Sequence, residues 1–201
     1  LMTLFDALPA VTYCGPDADS AAAFRWYDAD RAVLGRPMKD WLRFAVCYWH
    51  TFRWPGADVF GLGTLPRPWL YETDARAAAE AKMDAAFTFM DRLTVPFFTF
   101  HDRDVAQEAS TWSQTETLFA RMVDRLAAKM DETGIALLWG TANLFSHPRY
   151  AAGAATSPDP EVFACAAAQV ATALDATHRL GGANYVLWGG REGYDTLLNT
   201  D

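Results

Sequence analysis

Two hundred and one residues, 51% of them hydrophobic and 21% charged, are enough for one domain with a buried core. A formal net charge of −8 argues against a nucleic acid or an anionic membrane as partner, since both select clustered Lys and Arg, and no apolar run approaches the ~20 residues of a membrane span. Residues 1–6 lack the basic and apolar regions of a signal peptide, and three scattered cysteines (Cys14, Cys47, Cys165) without a CxxC read as reduced, buried thiols of a cytoplasmic protein.

Residues 1–40 form an N-terminal extension. Beyond them apolar runs alternate with amphipathic stretches, the pattern of βαβ units on a parallel sheet. The first run is residues 44–50 (FAVCYWH). A helix is predicted over 74–93, where Ala75, Ala78, Ala79, Met83, Ala86, Phe87 and Met90 fall near helical spacing. The second run is 95–101 (VPFFTFH), followed by a helix over 116–133 with Leu118, Phe119, Met122, Val123, Leu126 and Met130 on one face and Gly134 as its stop. The third run is 135–140 (IALLWG), and an Ala-rich helix over 160–180 is closed by Gly181 and Gly182. The fourth run is 185–190 (YVLWGG), and a further helix begins near Thr196. Each run is short and continuously apolar, as expected of strands covered on both faces.

Every run finishes on an aromatic followed by a polar residue or glycine: Trp49 before His50, Phe100 before His101, Trp139 before Gly140, Trp188 before Gly189. Active sites of parallel α/β sheets form at the C-terminal strand ends, so these four rings read as the wall of one pocket. For any single ring, capping of the core is the alternative. The chain has 8 Trp, 7 Tyr and 13 Phe, a richness that serves core packing and sugar stacking alike.

The strongest constellation is His101-Asp102-Arg103-Asp104, directly after the second run. A histidine at a strand end with a carboxylate three residues on forms a pair in which the carboxylate fixes the tautomer and leaves one ring nitrogen for proton transfer. His50 adjoins the rim, but strand alternation points it away from Trp49; His147 reads as a loop-fixing group and His178 as a solvated helix residue. Asp102, Asp104 and Glu192 are possible oxygen donors, yet no cluster of three or four carboxylates has spacing suited to Mg²⁺ or Mn²⁺. Residues 189–193 (GGREG) lack the Lys and Ser/Thr of a phosphate loop.

Residues 41–52 (WLRFAVCYWHTF), 56–61 (GADVFG), 100–104 (FHDRD), 138–145 (LWGTANLF), 186–194 (VLWGGREGY) and 196–201 (TLLNTD) together resemble xylose isomerase, in its longer-chain class with an N-terminal extension. The resemblance runs nearly end to end and implies a (β/α)8 TIM barrel. The chain would cover the extension (1–40) and, over 41–201, the first half of the barrel, roughly four strands with three helices. The implied activity is aldose–ketose isomerisation, D-xylose to D-xylulose and D-glucose to D-fructose, in a cytoplasmic homotetramer. His101 matches the histidine that assists opening of the cyclic sugar, and Asp104 the carboxylate that orients it. Trp49 and Trp188 match tryptophans flanking the sugar, while Thr141, Phe145 and Val186 match other pocket positions. Phe60 matches a phenylalanine that reaches into a neighbouring subunit's site. The resemblance also implies two divalent cations (Mg²⁺, Mn²⁺ or Co²⁺) that assist a C2–C1 hydride shift. Their ligands would lie beyond residue 201, so the chain alone is expected to be inactive. Two alternatives stand beside this reading: an inactive or partner-dependent fragment, and another divalent-metal sugar or sugar-phosphate isomerase or epimerase barrel.

Overall fold

The computed structural model describes residues 5–193, so the helix expected near Thr196 lies outside the described residues. In chain order the elements are β1 (Thr12–Tyr13), β2 (Ala23–Phe24), β3 (Ala32–Val33), β4 (Arg36–Pro37), α1 (Met38–Trp41), β5 (Ala45–Cys47), α2 (Ala75–Arg92), β6 (Phe97–His101), α3 (Asp102–Val105), α4 (Trp112–Thr133), β7 (Ala136–Thr141), α5 (Pro160–Arg179) and β8 (Asn184–Tyr185). Strands β1–β4 form two small two-stranded sheets in the N-terminal segment. The remaining four form one sheet in the order β5-β6-β7-β8, and all neighbours are parallel. Each strand thus pairs with the next in sequence, and helices α2, α4 and α5 make the crossovers. This α/β arrangement is that of a sector of a (β/α) barrel.

The helices begin and end where local chemistry satisfies their free backbone groups. The Asp74 carboxylate accepts the Ala77 N–H at 2.6 Å, Thr111 Oγ1 accepts the Gln114 N–H at 3.2 Å, and Asp159 accepts the Glu161 N–H at 2.8 Å. Gly134 closes α4 in the left-handed conformation, φ 73°, donating to the Met130 carbonyl. Helix α4 starts at Trp112, four residues before the predicted 116, because the Thr111 cap recruits a polar first turn (Ser113, Gln114) that carries no apolar periodicity.

Two of the four expected strands end well before their apolar runs do. The first ends at Cys47, and residues Trp49–Arg53 form a π-helical turn closed by Trp54 N–H donating to the Trp49 carbonyl at 2.9 Å. The fourth pairs only over Asn184–Tyr185, with one further bond from Val186 N–H to the Gly140 carbonyl. Its remaining residues leave the sheet.

The core lies between the sheet and α2 and α4. Val46, Tyr48, Phe98, Phe100 and Leu137 from the sheet side meet Met83, Phe87 and Met90 of α2 and Phe119, Met122 and Leu126 of α4, all buried. Burial of such a side chain contributes about 1.5–3 kcal/mol. The cysteines depart from expectation. All three are free, but Cys14 is exposed beside the short β1–β2 ladder, and Cys47 and Cys165 are half-buried. Among the described residues no helix is long and apolar enough to cross a membrane.

Candidate active site

β6 ends at His101 and the chain turns at once into α3, which brings residue 104 back over the strand end. Asp104, fully buried, accepts two hydrogen bonds on Oδ2: from the His101 backbone N–H at 3.0 Å and from His101 Nδ1 at 2.8 Å. A carboxylate only accepts, so Nδ1 carries the proton and Nε2 holds a lone pair. The second oxygen, Oδ1, accepts from Arg53 Nη1 at 3.3 Å.

Three aromatic rings stand nearly perpendicular to the imidazole. Trp49 stands 5.6 Å from it at 89°, Phe145 5.6 Å at 86°, and Trp139 6.4 Å at 84°. The wall read from the strand ends is therefore split: Trp49 and Trp139 face His101, Trp188 lies with a second grouping, and Phe100 points into the core, fully buried between Phe98 and Phe119. The expected opposition of Trp49 and His50 also fails, because both sit in the π turn rather than in a strand. Their rings lie 4.9 Å apart, tilted 30°, with His50 exposed.

A second grouping lies on the Trp188 side. Thr141, Val186 and Trp188 line a cavity of about 280 Å³ together with Leu144, Tyr185 and Glu192. The buried Thr141 hydroxyl donates to the Val186 carbonyl, tying β7 to the segment after β8. A β-carbon on Gly190 would lie 2.7 Å from Trp188 Nε1 and 3.0 Å from Phe145 Cδ1, so Phe145 adjoins both groupings. Phe60 stands apart, 93% exposed between Val59 and Leu62, which are equally bare.

The carboxylates near the site are already engaged. Asp102, 2% exposed, accepts from Arg103 N–H, Asn143 N–H and Gln169 Nε2, each at 2.8 Å. Burial pushes its carboxyl above the ordinary range, opposed by the Arg103 charge and these hydrogen bonds. Glu192 accepts the backbone N–H groups of Ala154, Ala155 and Thr156 and the Thr156 hydroxyl; burial pushes its carboxyl up, but these four bonds outweigh it and hold it below the usual value. Among the described residues no group of three or more His, Cys, Asp or Glu is placed to hold a metal ion. His147 accepts the Arg149 N–H on Nδ1 at 3.1 Å, fixing its loop, and His178 is exposed on α5.

The motif reading missed Arg53 and Lys82. Arg53 lies 51 positions before Asp104 and carries no pattern of its own. Lys82 did leave a trace: on the inward stripe of α2, between Ala78 and Ala86, it is the one charged residue, and it is 4% exposed.

No protein-family model matches the chain. Curated proteins named xylose isomerase do match, along its whole length. The protein from Paraburkholderia phymatum is 62% identical over 200 residues, which are 100% of this chain and 45% of the relative. That from Paraburkholderia xenovorans is 60% identical over 200 residues, covering 46% of it, and that from Salmonella paratyphi A 58% over 201 residues, covering 47%. The chain spans about half the length of the curated relatives it matches. The resemblance carried by the motifs is thus shown over every part of this sequence, which is similar throughout to xylose isomerases and corresponds to a little under half of their length.

Proposed function

We propose that this chain supplies the sugar-opening part of an aldose–ketose isomerase, of the kind that converts D-xylose to D-xylulose and D-glucose to D-fructose. The observation that supports it best is the His101–Asp104 pair, 2.8 Å apart at a strand end and faced by three aromatic rings. Nε2 accepts the proton of the anomeric hydroxyl while the C1–O5 bond breaks and the C1 carbonyl forms. The resulting imidazolium returns that proton to O5, so the open-chain aldose leaves His101 unchanged. Asp104 steadies the transient charge, and Trp49, Trp139 and Phe145 keep bulk water from the ring. Trp188, Thr141, Phe145 and Val186 are assigned to the sugar-facing wall, and Phe60 to contact with a neighbouring copy in a homotetramer. We place the enzyme in the cytoplasm and divide the chain into an extension, 1–40, and a half-barrel, 41–201.

The two divalent cations implied by the resemblance do not fit the described residues. Asp104 is held by His101 and Arg53, Asp102 by Gln169 and two backbone amides, and Glu192 by its loop. No hydride-shift step is therefore derived from these residues, and the chain by itself is proposed not to isomerise.

Two measurements test this reading. Exchange between the α and β anomers of D-xylose, followed by NMR, should be accelerated by the chain and fall at least about tenfold toward the buffer rate in His101→Asn. Equal exchange by the variant would remove His101 from ring opening. Turnover of xylose by the purified chain with Mg²⁺ or Mn²⁺ would overturn the proposed inactivity.

A further inference from the structure

Lys82 occupies a position where the α2 pattern calls for an apolar residue. Ala78, Ala79, Met83 and Ala86 around it are all buried against the core, and Lys82 itself is 4% exposed. A lone ammonium at such a depth is costly unless an opposite charge compensates it. The compensating group is Asp104, fully buried and within electrostatic reach, with Arg53 approaching the same carboxylate from the π turn. Burial pushes the Lys82 amine down, Asp104 pulls it partly back and Arg53 pushes it down again, leaving it at about 8, so the amine keeps its proton at neutral pH.

This arrangement bears on His101. An ionised carboxylate 2.8 Å from an imidazole strongly favours the imidazolium, in which Nε2 carries a proton and accepts nothing. A catalytic base must avoid that state. Around the pair, α3 contributes Asp104 itself, with Asp102 and Arg103 forming their own ion pair at 3.5 Å. The π turn contributes Arg53 and, on Trp49, the exposed His50. Helix α2 contributes Lys82, and its Asp84 is tied to Arg125 and Lys129. Tyr48, next to the π turn, is neutral, since burial pushes its phenol far above the usual range. Trp49, Trp139 and Phe145 bring no charge. Two cations therefore stand against the one carboxylate that touches the ring.

We propose that Lys82 and Arg53 are positioning residues that counterbalance the charge of Asp104, so that the carboxylate orients His101 without converting it to the imidazolium. Asp104 then sets the tautomer, while the cations leave Nε2 free to take a proton. The inference rests on the ring-opening reading of His101, but its test does not depend on sugar chemistry.

The test is a pH titration of the His101 ring nitrogens by long-range ¹H–¹⁵N NMR in the labelled 201-residue chain. In the wild type the neutral ring should carry its proton on Nδ1, facing Asp104. Lys82→Met, which replaces a buried cation by an apolar chain of similar length, should raise the midpoint by about one pH unit. Arg53→Gln should raise it by less, because the Arg53 side chain is 28% exposed and partly screened. That exposure also makes Arg53→Gln the variant that decides if Lys82→Met fails to fold. An unmoved midpoint in a folded variant overturns the proposal. Undiminished anomer exchange in His101→Asn refutes the ring-opening reading alone and leaves the titration result intact.

Discussion

Gly140 of β7 runs so close to Thr177 of α5 that a β-carbon at residue 140 would lie 2.2 Å from Thr177 Oγ1 and 2.9 Å from Phe100 Cζ. Neither neighbour can swing aside, because Thr177 is buried with its hydroxyl bonded to the Ala173 carbonyl and Phe100 is fully enclosed. Gly140→Ala should therefore cost about 1–3 kcal/mol, read as a lower urea midpoint with an unchanged slope. An unaltered midpoint would mean that strand and helix separate freely.

Gln169 holds the layer beneath the candidate site together. Its Nε2 donates to Asp102 at 2.8 Å and to the Asn143 carbonyl at 3.0 Å, and its Oε1 accepts from the Tyr150 hydroxyl at 2.8 Å. Gln169→Leu strands these buried partners and should destabilise by about 2–4 kcal/mol at pH 7. The loss should shrink on acidification. Asp102 already has a folded pKa above its unfolded value, so the folded state takes up a proton first as pH falls. Removing Gln169 penalises only the charged carboxyl further. Urea unfolding at pH 7 and pH 5 measures the difference, and a constant gap would count against it.

Lys82 supplies the alkaline counterpart. Its folded pKa of about 8 lies below the ordinary 10.5, so between those values the unfolded chain binds a proton that the folded chain does not. Stability from this group therefore rises with pH across that window. The stability of the wild type relative to Lys82→Met should increase by about 1–3 kcal/mol between pH 8 and 10. Chemical unfolding at the two pH values checks this, and a flat difference would show that Lys82 is not buried as a cation.

The apolar runs made the sheet legible, because strands covered on both faces leave no alternation to misread. The limits of α2 and α5 came within a residue of their caps, where Asp74 and Asp159 stand just ahead of the apolar stripe. The His101–Asp104 contact was legible for a related reason: a strand turning directly into a helix lays residues three apart beside each other. The turn at Trp49–Arg53 was not, since nothing in an apolar run distinguishes a continuing strand from a π turn. Phe100 illustrates a second limit. Its neighbour His101 faces the site, so alternation along β6 sends Phe100 to the core, whereas a rule applied to strand ends treats all four aromatics alike. Lys82 and Arg53 were invisible because the ion pair of Arg53 with Asp104, and the burial of Lys82 within electrostatic reach of it, depend on packing between α2, the π turn and α3.

The turn at Trp49–Arg53 grips both members of the pair at once. Its first residue sets an indole at right angles to the His101 ring, and its last places a guanidinium on Asp104. The widened i→i+5 bond between Trp54 and Trp49 sets the spacing of those two contacts. Adding or removing one residue there would shift the apolar and ionic contacts together, so this five-residue stretch admits substitution far more readily than any change in its length.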